Sequence, residues 1–230
     1  MRRIVLSIIA TLAIAGAASA QIAPPSPSDA KPNANPCRDE VSAALQKLRK
    51  SSWFRMETNM LTENGPIAMK VDYVLPDRMH QTVTSKLTNQ TTEIILVGDD
   101  AWAKQEGGWR AVPQKIAAQL REQMDDTVVK QQSDVGNYAC KGRAQIDGRD
   151  VLSYKLENEA EKGSAPQNQA FRMFYVDAMT GLPSSNVLLA PGHEDKPVFK
   201  TTYSYPLDLK IDPPKDPLPD KSPDAAAAPK

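Results

Sequence analysis

The sequence predicts an α+β protein, a curved antiparallel sheet with helices packed on it. Three observations carry that class. Apolar and polar residues alternate over several stretches separated by tight turns, two other segments repeat their apolar residues at helical spacing, and both kinds of segment lie between ends rich in proline and small residues.

Residues 1–20 read as a secretory signal: Arg2 and Arg3, an apolar run from Ile4 toward Ala18, then Ala18, Ser19 and Ala20 ahead of Gln21. The run is shorter than the ~18 apolar residues a span requires, so a cleaved leader and no permanent membrane anchor are expected. No cysteine stands close enough to accept a lipid at the new N-terminus, which predicts a soluble periplasmic protein. The 28 basic and 28 acidic residues balance, and loss of Arg2 and Arg3 leaves a slight acidic excess. That balance argues against nucleic acid as a partner. Residues 21–36 are expected to form a disordered proline-rich linker, 37–213 a single domain, and 214–230 a disordered tail.

From Arg38 to Lys50, Val41, Ala44, Leu45 and Leu48 recur at helical spacing, with Asp39 and Glu40 near the positive N-terminal end. Lys47, Arg49 and Lys50 read as its solvated face. A strand follows, with Phe54, Met56 and Met60 on one parity and Arg55, Glu57 and Asn59 on the other, until Asn64-Gly65-Pro66 breaks it. Next, Ile67, Met69, Val71, Tyr73 and Leu75 alternate with Ala68, Lys70 and Asp72, a half-buried strand. After the turn Pro76-Asp77-Arg78, Met79 and Val83 are placed opposite Leu75 and Val71, with His80, Thr82 and Thr84 outward. In the strand Thr91 to Val97 the contiguous Ile94, Ile95 and Leu96 leave the inward parity open.

Gly98-Asp99-Asp100 turns the chain into Ala101 to Lys104, and Gly107-Gly108 leads into Trp109; the paired aspartates are turn residues. Pro113 starts a second helix, Gln114 to Gln131, with the stripe Ile116, Leu120, Met124 and Val128. Asp147-Gly148 joins Ala144–Ile146 to Val151–Leu156 as a hairpin, and the polar stretch from Asn158 to Gln169 is a loop. Phe171, Met173 and Tyr175 then alternate with Arg172, and Thr180-Gly181-Leu182-Pro183 turns. Val187–Leu189, Val198–Tyr205 and Leu207–Ile211 complete the set.

Cys37 and Cys140 are the only cysteines, and in an exported chain an even pair predicts one disulfide. There is no Cys-x-x-Cys, and His80 and His193 are far apart in sequence, so no metal and no cofactor are expected. A Gly-x-Ser-x-Gly elbow, a His-Glu-x-x-His site and a glycine-rich phosphate loop are all missing, and no catalytic residues are assigned. The expectation is a protein that is not an enzyme.

The order helix, meander, tryptophan hairpin, covering helix, second meander resembles the periplasmic outer-membrane lipoprotein carrier superfamily, the LolA/LppX-like fold, as a distant member. The residues that carry it are Val71-Asp72-Tyr73 with Pro76-Asp77-Arg78, Ile94 to Val97 with Gly98, Trp102, and Gly107-Gly108-Trp109 before Pro113. Tyr154 with Leu156 follows, then Tyr175-Val176-Asp177 with Thr180-Gly181-Leu182-Pro183. The resemblance implies an incomplete β-barrel covered by helices, with an apolar cavity for a lipid or the acyl chain of a lipoprotein. Candidate lining residues are Phe54, Met56, Met60, Ile67, Met69, Val71, Tyr73, Met79, Val83, Ile95, Leu120, Met124, Phe171 and Met173. Methionine adapts to irregular apolar shapes, which suits a chain-like ligand. The same stripe can equally be solid core. The alternative function is a protein-binding or envelope-stress sensor domain whose partner is a membrane-bound envelope protein.

Overall fold

The computed structural model describes residues 35–131, 135–157, 170–193 and 195–220. The leader, the linker up to residue 34, the segment from Asn158 to Gln169 and residues 221–230 lie outside the described residues.

Helix α1 spans Pro36–Arg49 and so takes in the last residue of the expected linker. Asn35 caps it, its Oδ1 accepting from the Arg38 N–H at 2.9 Å, and Pro36 sits where its missing N–H leaves no bond unmade. Lys47 and Arg49 occupy the last turn, where the helix dipole is negative. Val41, Ala44 and Leu48 form its buried face.

The first meander is β1 (Trp53–Thr62), β2 (Gly65–Val74), β3 (Arg78–Ser85), β4 (Thr91–Val97), β5 (Asp100–Gln105) and β6 (Gly108–Ala111). Helix α2 (Gln114–Met124) follows and runs on through a π turn, Asp125–Val129. The second meander is β7 (Asn137–Ile146), β8 (Arg149–Glu157), β9 (Phe171–Asp177), β10 (Pro183–Leu189) and β11 (Phe199–Ser204). All eleven strands make one antiparallel sheet, ordered β6-β5-β4-β3-β2-β1-β11-β10-β9-β8-β7. Edge strands β6 and β7 do not pair with each other, so the barrel stays open. Helix α1 lies on β7, β9 and β10, and α2 on β4 and β5; both cover the same face of the sheet. Among the described residues no helix is long and apolar enough to cross a membrane.

Two apolar clusters fill the space under the helices. Beneath α2, Phe54, Val71, Tyr73, Met79, Leu96, Met124 and Val128 are buried together. Beneath α1, Val41 and Ala44 meet Tyr138, Tyr154, Phe174 and Val176. A third, smaller cluster, Ile95, Trp102 and Ile211, lies on the opposite face of the sheet and is covered by the chain after β11. That segment is a strap: the Pro206 carbonyl accepts from Trp53 Nε1 at 2.6 Å and the Ile211 carbonyl from Arg78 Nη1 at 2.6 Å. It ends by bridging the free edge of β6, Leu218 exchanging backbone bonds with Trp109 and Ala111 at 2.8 and 2.9 Å. Residues 214–220, expected in a disordered tail, therefore belong to the folded unit.

Several expectations are corrected. Tyr73, not Leu75, faces Met79, and Met69, not Val71, faces Val83. The β2–β3 pairing starts with Val74 opposite Arg78, so Leu75, Pro76 and Asp77 make the turn; the pairing is moved by two residues and its parity preserved, while the Leu75 N–H donates to the Ser52 carbonyl at 2.9 Å. On α2, Ile116 is 42% exposed and Ala117 takes its place. At 3.6 residues per turn Ala117 lies about 20° from Met124 around the helix, whereas Ile116 lies about 80° away. Strand β7 starts seven residues before the expected Ala144, hidden in the sequence by polar side chains and by the irregular pairing between Cys140 and Gly142 that an edge strand tolerates.

Orientation corrects the candidate lining at two places, deciding the open parity of β4 against Ile95 and reversing that of β9. In β4, Ile95 pairs with outward His80, while Leu96 pairs with inward Met79. In β9, Phe174 and Val176 face α1, which puts Phe171 and Met173 on the opposite face. Both strands carry apolar residues on both faces, so alternation alone cannot orient them.

Candidate functional site

Most of the predicted lining residues are packed core. Phe54, Val71, Tyr73, Met79 and Met124 are buried in one cluster, with Met56, Met69 and Leu120 against it. The Phe54 and Tyr73 rings stand 5.0 Å apart, tilted by 31°. Burial, helped slightly by neighbouring Tyr203, pushes the Tyr73 hydroxyl up to about 12. Met60, Ile67 and Val83 are half-buried on the same face at the far end of the β1–β2 hairpin and on β3. Ile95, Phe171 and Met173 face the other way.

The cavity that adjoins α1 lies in the other half of the sheet. A cavity of about 430 Å³ is bounded by α1, the π turn and the face of β7 to β11. Leu45 and Arg49 reach it from α1, Thr127 from the π turn, and Val135 from the approach to β7. The sheet contributes Tyr138, Leu156, Arg172, Phe174, Asn186 and Tyr203. Register explains why these meet: Tyr138 pairs with Leu156, and Phe174 pairs with Asn186, so alternating positions on neighbouring strands form one continuous floor. Tyr138 and Phe174 rings lie 6.4 Å apart, and the Arg172 guanidinium sits 5.8 Å from the Phe199 ring centre.

The polar groups in this cavity are unusually bare. The Asn186 Oδ1 is buried and has no hydrogen-bond partner among the described residues. Burial drives the Tyr203 hydroxyl up to about 12, with Arg172 pulling it down and Tyr138 pushing it further up. Burial raises Tyr138 too, again opposed by Arg172, and lowers the Arg49 guanidinium from its usual value. Among the described residues no aspartate or glutamate lines the cavity.

Helix α1 is held over this floor at both ends. The Cys37–Cys140 disulfide, with Cα atoms 5.4 Å apart, joins its first turn to β7. Tyr154 Oη donates to Glu40 Oε2 at 2.6 Å, and Lys47 Nζ donates to the Thr180 carbonyl. The last turn, carrying Arg49, borders the cavity. Among the described residues no group of three or more His, Cys, Asp or Glu could hold a metal.

Sequence reasoning missed Arg49, Arg172 and Asn186. The available signal was Arg172 on the parity of Phe174 and Val176, once that parity is assigned inward.

Neither a family model nor a curated protein sequence matches this chain. Its fold matches solved structures. The lipoprotein LppX of Mycobacterium tuberculosis aligns at a TM-score of 0.52 and 12% identity, over 77% of this chain and 98% of LppX. LprF from Mycobacterium bovis aligns at 0.51 and 12% identity, over 79% of this chain and 98% of LprF. The LolA/LppX-like fold is thus established, at a distance at which likeness speaks for fold alone.

Proposed function

We propose that this chain is an exported, periplasmic binding protein that holds a lipid or acyl chain between α1 and the sheet, acting as a carrier rather than as an enzyme. The observation that carries the reading is the cleft of about 430 Å³, bordered by two separate helical segments and floored by Leu156 and Phe174. Small-molecule cavities of about 300–1,000 Å³ are usual, so the space suits a single chain. Each methylene buried there favours binding by about 0.8 kcal/mol, which lets a long chain be held without a catalytic or covalent step. A disulfide across the cover is consistent with an oxidising compartment.

The test is native mass spectrometry of protein purified from the periplasm, followed by lipid extraction and by displacement of a bound fluorescent fatty acid. Co-purifying lipid and saturable displacement are expected. Leu156→Trp should fill the cavity and abolish displacement, whereas Leu61→Trp, at a position 68% exposed on β1, should leave it intact. Absence of bound lipid together with no displacement in the unaltered protein refutes the reading.

A further inference from the structure

The cavity holds two arginines that no carboxylate among the described residues neutralises. Elsewhere half-buried arginines are paired: Arg55 makes two bonds to Asp72 at 2.5 and 3.0 Å, Arg121 meets Asp125 at 3.1 Å, and Arg78 bonds the Ile211 carbonyl at 2.6 Å. Arg49 and Arg172 are also half-buried, yet among the described residues neither reaches a carboxylate or a carbonyl. A guanidinium removed from water without an anion is costly, and a fold retains two in one cavity when something else supplies the charge. They come from different elements, α1 and β9, and converge on one space. The guanidinium has a planar fork of donors suited to two oxygens of one oxyacid group.

Resting on the acyl-chain reading, we propose that the ligand is an anionic amphiphile whose carboxylate or phosphate head is gripped by Arg49 and Arg172 while its chain lies along Leu45, Leu156 and Phe174. The apolar wall and the cationic pair occupy one cavity, so head and tail are recognised together. Because Arg49 stands on the last turn of α1, the head also bonds the cover to the sheet residue Arg172 through the ligand.

The experiment is calorimetric titration of the delipidated full-length mature protein with dodecanoate, dodecyl phosphate, dodecanol and inorganic phosphate. The two anionic amphiphiles are expected to bind at least about tenfold more tightly than dodecanol, a difference of ~1.4 kcal/mol. Arg172→Gln and Arg49→Gln should each reduce that preference without weakening dodecanol, and thermal melting checks that the variants stay folded. The comparison of acid with alcohol on the unaltered protein needs no variant. Equal binding of acid, phosphate ester and alcohol overturns the charge proposal and leaves the acyl reading standing. No binding by any chain-bearing probe overturns the acyl reading itself. Inorganic phosphate binding as tightly as dodecyl phosphate assigns the arginines to a free oxyanion and overturns the amphiphile.

Discussion

Removal of the Cys37–Cys140 disulfide, by Cys37→Ser with Cys140→Ser, is expected to destabilise the domain severely. The bridge spans a sequence separation of 103 residues, taking in α1, the whole first meander and α2. For a loop of that length the chain-entropy model gives ~4.7 kcal/mol of stabilisation, an upper figure if the reduced chain keeps residual structure. With a urea m-value of about 2 kcal/mol/M, the unfolding midpoint falls by roughly 2 M. Trp53, Trp102 and Trp109 all lie in the sheet and report the transition by fluorescence. Helix α1 should respond more than the rest, because besides the bridge its polar ties to the sheet side run through Glu40 and Lys47. Coincident urea curves for the oxidised protein and the double serine variant would refute the assignment of the bridge as a principal brace.

Phe54→Ala empties a fully buried site against Tyr73 and is expected to cost ~3–5 kcal/mol in urea unfolding; a loss under about 1 kcal/mol would mean that the cluster collapses into the gap. Ile211→Ala should cost ~2–5 kcal/mol and shift tryptophan emission to the red as water reaches Trp102 and Trp109, while unchanged emission would show the strap to be dispensable. At alkaline pH the buried Tyr73 and Tyr203 hydroxyls, raised to about 12, favour the folded state fully below the ordinary tyrosine value of about 10. That contribution fades between about 10 and 12, so unfolding and tyrosinate absorbance should rise together in this window. At the acid end Glu93 is held low chiefly by the Lys104 hydrogen bond, and Asp177 chiefly by the Thr180 backbone N–H. Both add stability above the ordinary carboxylate value of about 4 that is lost as pH falls below it, and Glu93→Gln with Asp177→Asn should flatten the acid limb of the stability curve.

The parts legible in sequence are those where one face is wet. Ile67, Met69, Val71 and Tyr73 alternate with polar neighbours, and β2 was readable in position and orientation. β4 had correct limits and an undecided face, because both of its faces are covered, one by α2 and the other by the strap. Likewise β9 has Phe171, Met173 and Tyr175 on one parity and Phe174 and Val176 on the other, and only contact with α1 distinguishes them. The site was harder still. Arg49 looks like one more cation in a solvated last turn, and its place at a cavity depends on how α1 is tilted over strands that begin nearly ninety residues later. Such long-range placement leaves no local periodic trace.

The strand order also dictates how the chain must assemble. Among the described strands every neighbouring pair but one joins consecutive elements, so each meander can zip from its own turns with short loops to close. The exception is the line where β1 meets β11, from Arg55 opposite Ser204 to Met60 opposite Phe199. There Thr58 and Thr201, 143 positions apart, share a buried hydroxyl contact of 2.7 Å. Long-distance chain search is thereby concentrated in one antiparallel line down the middle of the sheet. Oxidation of Cys37 with Cys140 shortens that search, since it ties the helix that precedes one meander to the first strand of the other before the two halves have met.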